Sequence, residues 1–183
     1  VIVTEIDPVK AIEAVMDGFS VMTMDEAAPL GELFVTLTGC AGVIRREHFL
    51  SMRDGVLLAN SGHFDVEIDI PALASLAVKI AERRANITGY TLPDGRTINL
   101  LAEGRLVNLA AGNGHPAEIM DMSFSLQALC LEHLAASGGT LEPRLYSVPE
   151  HIDRAVAKLK LSSLDIIIDK LSDEQLEYLQ KVD

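Results

Sequence analysis

Short apolar runs alternate with amphipathic segments along the first part of this chain, and this alternation limits the possible folds more than any other feature. Residues 1–4, 33–38 and 56–60 consist largely of β-branched and aliphatic side chains, which is typical of strands buried on both faces of a parallel sheet. Segments with helical periodicity separate these runs. Alternating strands and helices predict βαβ units with right-handed crossovers, and therefore an α/β fold.

Local signals predict where these elements begin and end. Asp7 followed by Pro8 predicts a helix start, because Asp is a good N-cap and Pro fits the first helical position. Asp25 is predicted to cap a second short helix, and the Pro-Asp-Gly segment 93–95 predicts a tight turn between two strands. The remaining predicted elements are a strand at 19–22, helices at 46–52 and 71–78, strands at 87–92 and 97–101, and a last strand at 106–109.

The pattern changes at the segment 112–116, where two glycines and a proline interrupt it. A long helix with an apolar stripe is predicted at 117–136, and the tail beyond Pro149 predicts two shorter amphipathic helices at about 150–160 and 172–180. We therefore expect three parts, residues 1–114, 115–148 and 149–183.

Charge and composition exclude some classes of function. The chain has 183 residues, and its 27 acidic against 15 basic side chains give a net charge of −12, which disfavours binding to nucleic acid. No uncharged stretch reaches the roughly 18 residues of a membrane helix. Two cysteines form no disulfide framework and favour a cytoplasmic location. Because the chain starts with Val1 inside a predicted strand, we expect it to be the C-terminal part of a longer protein.

Glu5 is the first candidate site residue, because it directly follows a predicted strand. An acid at the end of the second strand of a Rossmann-type domain accepts hydrogen bonds from a nucleotide ribose. A solvent-facing acid before a helix is the alternative. The glycine-rich turn of such a domain would lie about 20 residues upstream of this acid, so the first βα unit is expected to precede this chain.

Residues 60–63 (Asn-Ser-Gly-His) follow a buried strand at the sheet edge where ligands bind in open α/β folds. Gly62 allows close backbone approach, and His63 can exchange a proton near neutral pH. An ordinary turn with a hydrogen-bonded histidine is equally compatible. The acids Asp65, Glu67 and Asp69 alternate with apolar residues, which is more typical of a solvated face than of a metal site.

Two further side chains are candidates for ligand contacts. Asn108 could hold a carboxamide group, because an amide both donates and accepts hydrogen bonds. A strand-end cap is the alternative. His115 lies at the expected hinge, where its side chain could face a cleft between domains. A structural role is the alternative. The other histidines, His48, His133 and His151, are interpreted as structural.

Four strings carry a resemblance to a known family: VTEIDP at 3–8, NSGHFDVEID at 60–69, LAEGRLVNL at 101–109 and GHP at 114–116. Together they closely resemble the adenosylhomocysteinase family, over essentially all 183 residues. The resemblance implies a Rossmann-type NAD-binding domain without its first βα unit, a helical return to the substrate domain, and a small helical tail that dimerises. It also implies a cytoplasmic homo-oligomer, either a dimer or a tetramer.

The resemblance implies a reaction and a set of site residues. The family reversibly hydrolyses S-adenosylhomocysteine to adenosine and homocysteine, with transient oxidation of the ribose 3′-hydroxyl by NAD. His63 would be catalytic and would also contact NAD and substrate. The other implied NAD contacts are Glu5, Thr38, Gly39, Ser61, Gly62, Asn108 and His115. The implied substrate contacts are His63, Leu106, Leu109, His115, Met120 and Phe124, and no metal is implied.

The sequence departs from the family pattern in a few places. Leu37 stands where many members carry Thr or Ala, and Lys10 stands where some carry an Asn that contacts NAD. The chain ends at Val182-Asp183 without the Lys-and-Tyr tail of many members. The family's remaining catalytic residues would lie upstream. Two other functions stay open, a non-catalytic NAD-binding or interaction fragment and a 2-hydroxy-acid dehydrogenase.

Overall fold

The computed structural model describes residues 1–180, so Val182 and Asp183 lie outside the described residues. Two compact units divide the chain, the first running from Val1 to Gly114 and the second starting at His115. Each unit is described by itself. The division of the second unit at residue 149 stays a prediction.

The first unit begins with a small parallel sheet. Strand β1 (Ile2–Val3) pairs with β2 (Ser20–Val21), and helix α1 (Pro8–Met16) connects them. The predicted helix start is confirmed, because the Asp7 side chain accepts a hydrogen bond from the Val9 backbone N–H at 2.9 Å. The expected burial of the first strand on both faces is wrong, since Val1 and Ile2 are exposed.

A five-stranded sheet forms the centre of the first unit. Its parallel part comprises β3 (Leu33–Thr36), β4 (Leu57–Asn60) and β7 (Thr97–Leu101), and its antiparallel part adds β6 (Ile87–Thr91) and β5 (Lys79–Arg84), in the order β3-β4-β7-β6-β5. The predicted α/β class is confirmed. The sheet is mixed rather than wholly parallel, because β5, β6 and β7 form a meander that brings β7 back beside β4.

Four short helices also belong to the first unit. They are α2 (Met24–Ala27), α3 (Arg46–Ser51), α4 (Ile70–Leu76) and α5 (Val107–Ala110), and a 3-10 turn spans Ala102–Gly104. Asp25 is not the cap of α2. Thr23 is, because it forms a capping box in which its hydroxyl oxygen accepts from the Glu26 N–H and the Glu26 carboxylate accepts from the Thr23 N–H. The strand predicted at 106–109 is instead a bridge of Leu106 to Asn60 followed by α5.

The sheet and the short helices share a core that is mainly aliphatic. Its fully buried members include Ile44, Phe49, Leu58, Leu73, Ile98 and Leu100. His48 is also buried, and its burial supports the interpretation that its role is structural. Its Nδ1 accepts from the Arg45 backbone N–H at 3.0 Å, and its Nε2 lies 3.2 Å from the Asp25 carboxylate.

The second unit is helical. It contains α6 (Ala117–Ala136), α7 (Glu150–Ser163) and α8 (Asp173–Gln180), as the periodicity predicts. Helices α6 and α7 pack together, with the rings of His133 and His151 in edge contact at 5.8 Å between centroids. Within residues 1–180, no helix combines the length and the hydropathy needed to cross a membrane.

Candidate functional site

The candidate site lies at the carboxyl ends of β3 and β4. Thr36 and Asn60 are the last residues of these strands, and they face each other in the parallel register. Both are buried, and the Thr36 hydroxyl donates to Asn60 Oδ1 at 3.2 Å. The Ser61 backbone N–H donates to the Thr36 carbonyl at 2.7 Å and extends the pairing by one residue.

The Asn60 side chain joins three segments at this edge. Its Oδ1 accepts from the Gly62 backbone N–H at 2.7 Å. Its Nδ2 donates to the carbonyls of Phe64 at 2.7 Å and Gly104 at 2.8 Å. A buried amide with its donors and its acceptor satisfied fixes the chain around it, so the loop after β4 is held in a defined shape.

The Glu67 side chain organises the loop after β3. It is fully buried and accepts three hydrogen bonds, from the Thr38 N–H (2.9 Å), the Thr38 hydroxyl (2.8 Å) and the Gly39 N–H (2.8 Å). Burial would raise the pKa of this carboxyl. The hydrogen bonds outweigh that effect and lower the pKa below its ordinary value of 4.5.

Gly62 brings the two loops against each other. A Cβ atom at this position would lie 2.0 Å from Glu67 Oε1 and 2.9 Å from Asn60 Oδ1. Only glycine therefore leaves room for both polar side chains. The predicted residues Thr38, Gly39 and Gly62 thus lie together, with Glu67 between them.

The prediction that the three alternating acids form a solvated face is wrong for Glu67, which is buried. Asp65 is exposed, whereas Asp69 caps α4 by accepting from the Ala72 N–H at 3.0 Å. Alternation in sequence did not show this difference, because it depends on the contact between Glu67 and the loop after β3. Among the described residues, no group of three or more His, Cys, Asp or Glu side chains is placed to share a metal ion.

His63 and Ser61 lie at the surface of this edge. Both are exposed, and the His63 ring contacts the Phe64 ring edge-to-face at 4.7 Å between centroids. An exposed imidazole on a loop held by buried hydrogen bonds can meet a ligand and exchange a proton with it. The catalytic role of His63 stays a prediction.

Glu5 follows β1, where the sequence predicts it. Its Oε1 accepts from the backbone N–H groups of Asp7 at 3.0 Å and Ile6 at 2.7 Å. These two hydrogen bonds, that of Asp7 first, lower the pKa of the Glu5 carboxyl. Glu5 is thus an ionised acceptor near neutral pH, as a ribose diol requires.

Asn108 lies in α5 with one unsatisfied atom. Its Oδ1 is buried and has no hydrogen-bond partner in the described part of the chain. Its backbone carbonyl accepts from the Gly114 N–H at 2.9 Å, so the loop at 112–114 folds back onto it. Nearby, Leu106 is half-buried and Leu109 is exposed. A buried acceptor without a donor is a position that a donor from a ligand or an ordered water can complete.

The other predicted site residues belong to the second unit. His115 precedes α6 and is exposed, whereas Met120 and Phe124 lie on α6, half-buried and exposed respectively. Their roles stay predictions.

These features define a class of protein. Parallel strands whose carboxyl ends are followed by an acid and by close-packed glycine loops are typical of a dinucleotide-binding α/β domain. A family described as "S-adenosyl-L-homocysteine hydrolase, NAD binding domain" matches residues 1–114. The chain belongs to this family.

Similar curated proteins include adenosylhomocysteinases and an S-inosyl-L-homocysteine hydrolase. Adenosylhomocysteinase of Aquifex aeolicus is 62% identical, and that of Thermococcus kodakarensis is 58% identical, each over 98% of this chain. S-inosyl-L-homocysteine hydrolase of Methanopyrus kandleri is 55% identical, also over 98% of the chain. The chain spans about 43% of the length of each of these relatives.

The residues present fit NAD. The unsatisfied Oδ1 of Asn108 matches the N–H of a carboxamide, and the ionised Glu5 matches a ribose diol. The Asn108 Oδ1 atom has no donor within the described residues, whereas the Glu5 carboxylate also accepts from the backbone N–H groups of Ile6 and Asp7.

Proposed function

We propose that this chain is the NAD-binding part of an enzyme that reversibly hydrolyses S-adenosyl-L-homocysteine to adenosine and L-homocysteine. Membership of the family over residues 1–114 carries the proposal. The names of the relatives from Aquifex aeolicus and Thermococcus kodakarensis support the same reaction.

In this proposal the chain holds NAD along the carboxyl ends of its parallel strands. Glu5 accepts from the adenosine ribose and Asn108 holds the carboxamide, while the other contacts come from Thr38, Gly39, Ser61, Gly62, His63 and His115. NAD held there would supply reversible hydride transfer, in which the hydrogen on C3′ of the substrate ribose would leave as hydride and the 3′-hydroxyl would lose its proton. The rigid loops after β3 and β4 orient the reacting groups and exclude water.

His63 is the catalytic side chain that this chain contributes. Its exposed imidazole can give or take a proton at the substrate ribose and its leaving group. Leu106, Leu109, His115, Met120 and Phe124 complete the proposed substrate contacts.

The proposal also includes a cytoplasmic homo-oligomer that acts in the methionine cycle. The exposed side chains of Ile166, Ile167 and Ile168 in the second unit, taken by itself, support an interface there, because exposed apolar patches mark protein contacts. Measuring the mass of the full-length protein by light scattering tests the oligomeric state.

The reaction is tested with the full-length protein, S-adenosylhomocysteine and an assay for the free thiol of homocysteine. We expect thiol release without net formation of NADH, which also separates this function from that of a dehydrogenase. His63→Ala should abolish most of the release, whereas the control His151→Ala, in the second unit, should retain it. Bound NAD without any thiol release would contradict the proposed reaction.

The nucleobase of the substrate needs its own comparison, because one similar relative is an S-inosyl-L-homocysteine hydrolase. The same thiol assay with S-inosylhomocysteine addresses this point. We expect the adenosyl substrate to have the higher kcat/KM, and the reverse order would assign the inosyl substrate.

A further inference from the structure

We propose that Glu67 is a positioning residue for the cofactor, which holds the segments 38–39 and 61–62 in the shape that binds NAD. This inference rests on the proposed function, since it takes these segments as cofactor contacts. Glu67 is not itself among the predicted contacts, and it acts through Thr38, Gly39 and Gly62.

The donors around Glu67 form a receptor for an anion. Two consecutive backbone N–H groups, of Thr38 and Gly39, and the Thr38 hydroxyl converge on its carboxylate. Such an arrangement of successive amides binds phosphates and other anions in many proteins. Here the chain's own carboxylate fills the receptor, and no ion pair to Glu67 is formed within the described residues.

The same carboxylate limits the position of the neighbouring loop. Its Oε1 lies only 2.0 Å from the position that a Cβ of residue 62 would take, so the Gly62 backbone packs directly against it. The Asn60 Oδ1 atom lies 2.9 Å from the same Cβ position and accepts from the Gly62 N–H at 2.7 Å. The backbone at residue 62 therefore packs against two buried polar side chains.

Glu67 can hold these loops because its own backbone is anchored. Its carbonyl accepts from the Ile44 N–H at 3.0 Å, and the preceding Val66 carbonyl accepts from the Gly42 N–H at 2.8 Å. Ile44 and Ile68 form an isolated parallel bridge, and both are fully buried. The carboxylate thus connects the two loops to the core.

This arrangement has a consequence for NAD. The Thr38 and Gly39 amides are occupied by Glu67, so they are not free to bind the cofactor's phosphates. Without the carboxylate these amides would lose their acceptor, and the two loops would populate other shapes. Affinity for a ligand falls in proportion to the fraction of protein in the binding-competent shape.

The test compares full-length wild type, Glu67→Gln and the control Asp65→Asn, each stripped of cofactor and titrated with NAD by calorimetry well below its melting temperature. Glutamine keeps the shape, but its NH2 group would face one of the donors now bound by the carboxylate. We expect NAD binding to weaken about 10-fold or more in Glu67→Gln, and to stay unchanged in Asp65→Asn.

A second variant separates positioning from general stability. Glu67→Ala leaves the three donors facing a cavity that formate can enter, so added formate should restore NAD affinity in this variant and leave the wild type unchanged. An unchanged NAD affinity in Glu67→Gln, or no recovery of Glu67→Ala with formate, would overturn the inference. A wild type that binds no NAD would instead contradict the proposed function.

Discussion

At the level of single residues, the charge of Glu67 is buried, and no cationic side chain among residues 1–180 forms an ion pair with it. Two backbone amides and one hydroxyl compensate for the lost hydration. An ionised carboxylate held in this way contributes stability only while it stays ionised. The pKa of Glu67 in the folded protein lies below its ordinary value of 4.5, so the unfolded chain takes up a proton first as the pH falls.

This gives a pH-dependent prediction for stability. The contribution of Glu67 should be fully present above pH 4.5 and should be lost as the pH falls below 4.5 toward the lowered pKa of the folded state. The difference in urea midpoint between wild type and Glu67→Gln should therefore be constant near neutral pH and shrink in acid. Other acids with lowered pKa values affect both proteins alike, so they cancel in this comparison. A difference that grows in acid would contradict the prediction.

Single residues were predictable from sequence where their role is local. The Asp7 cap depends on its own neighbours along the chain, and the sequence therefore indicates it correctly. Glu67 differs, because its burial depends on Thr38 and Gly39, which are distant along the chain. Asn60 and Gly62 gave a sequence signal only as part of the glycine loop. The hydrogen bonds of Asn60 to Thr36 and Gly104, and the close approach of Gly62 to Glu67, form only in the folded sheet.

At the level of elements, the turn between β6 and β7 also supplies a side chain that caps the C-terminus of α3. The predicted turn is confirmed by the hydrogen bond from the Gly95 N–H to the Leu92 carbonyl at 3.0 Å. From this turn Arg96 donates to the carbonyls of Leu50, at 3.0 Å, and Met52. Its guanidinium thus caps the C-terminus of α3, where a positive charge is favourable.

Arg96→Gln should therefore loosen the connection between the hairpin and α3. We expect the free energy of unfolding to fall by about 1–3 kcal/mol, because hydrogen bonds from a charged donor are lost at partly buried carbonyls. Chemical denaturation checks this, with Arg84→Gln on the exposed β5 as the matched control. Equal stability of the two variants would show that Arg96 does not cap α3.

Elements were predictable where periodicity or turn residues mark them. The long helix α6 and the β6–β7 hairpin lie at their predicted positions. Strand β5 was missed, because its Lys, Glu and Arg side chains suggest neither a buried run nor a clean alternation. It forms because β6 offers it an antiparallel edge, and an edge strand tolerates charged residues.

At the level of the whole molecule, the buried apolar side chains are unevenly divided. Within the described residues, all buried hydrophobic residues belong to the first unit except Ile152 and Val156. The stability of a folded unit comes mainly from apolar burial. The two units, each taken by itself, should therefore differ in their ability to fold.

We predict that a chain comprising residues 1–114 unfolds cooperatively on heating, whereas one comprising residues 115–183 does not. The first has a contiguous core around Phe49 and Leu100, and the second has only two buried hydrophobic side chains among its described residues. Circular dichroism of the two pieces against temperature is the measurement. A sharp, cooperative transition in the second piece alone would refute the prediction.

The mixed sheet finally implies the order in which its strands pair during folding. The meander from β5 to β7 pairs neighbours along the chain, and hairpins of this kind form in about 1–10 μs. The parallel pairing of β4 with β7 joins Leu57 to Asn99, and a large loop must close before it can form. The antiparallel half should therefore nucleate first, and the edge that carries Asn60 should be completed late in folding.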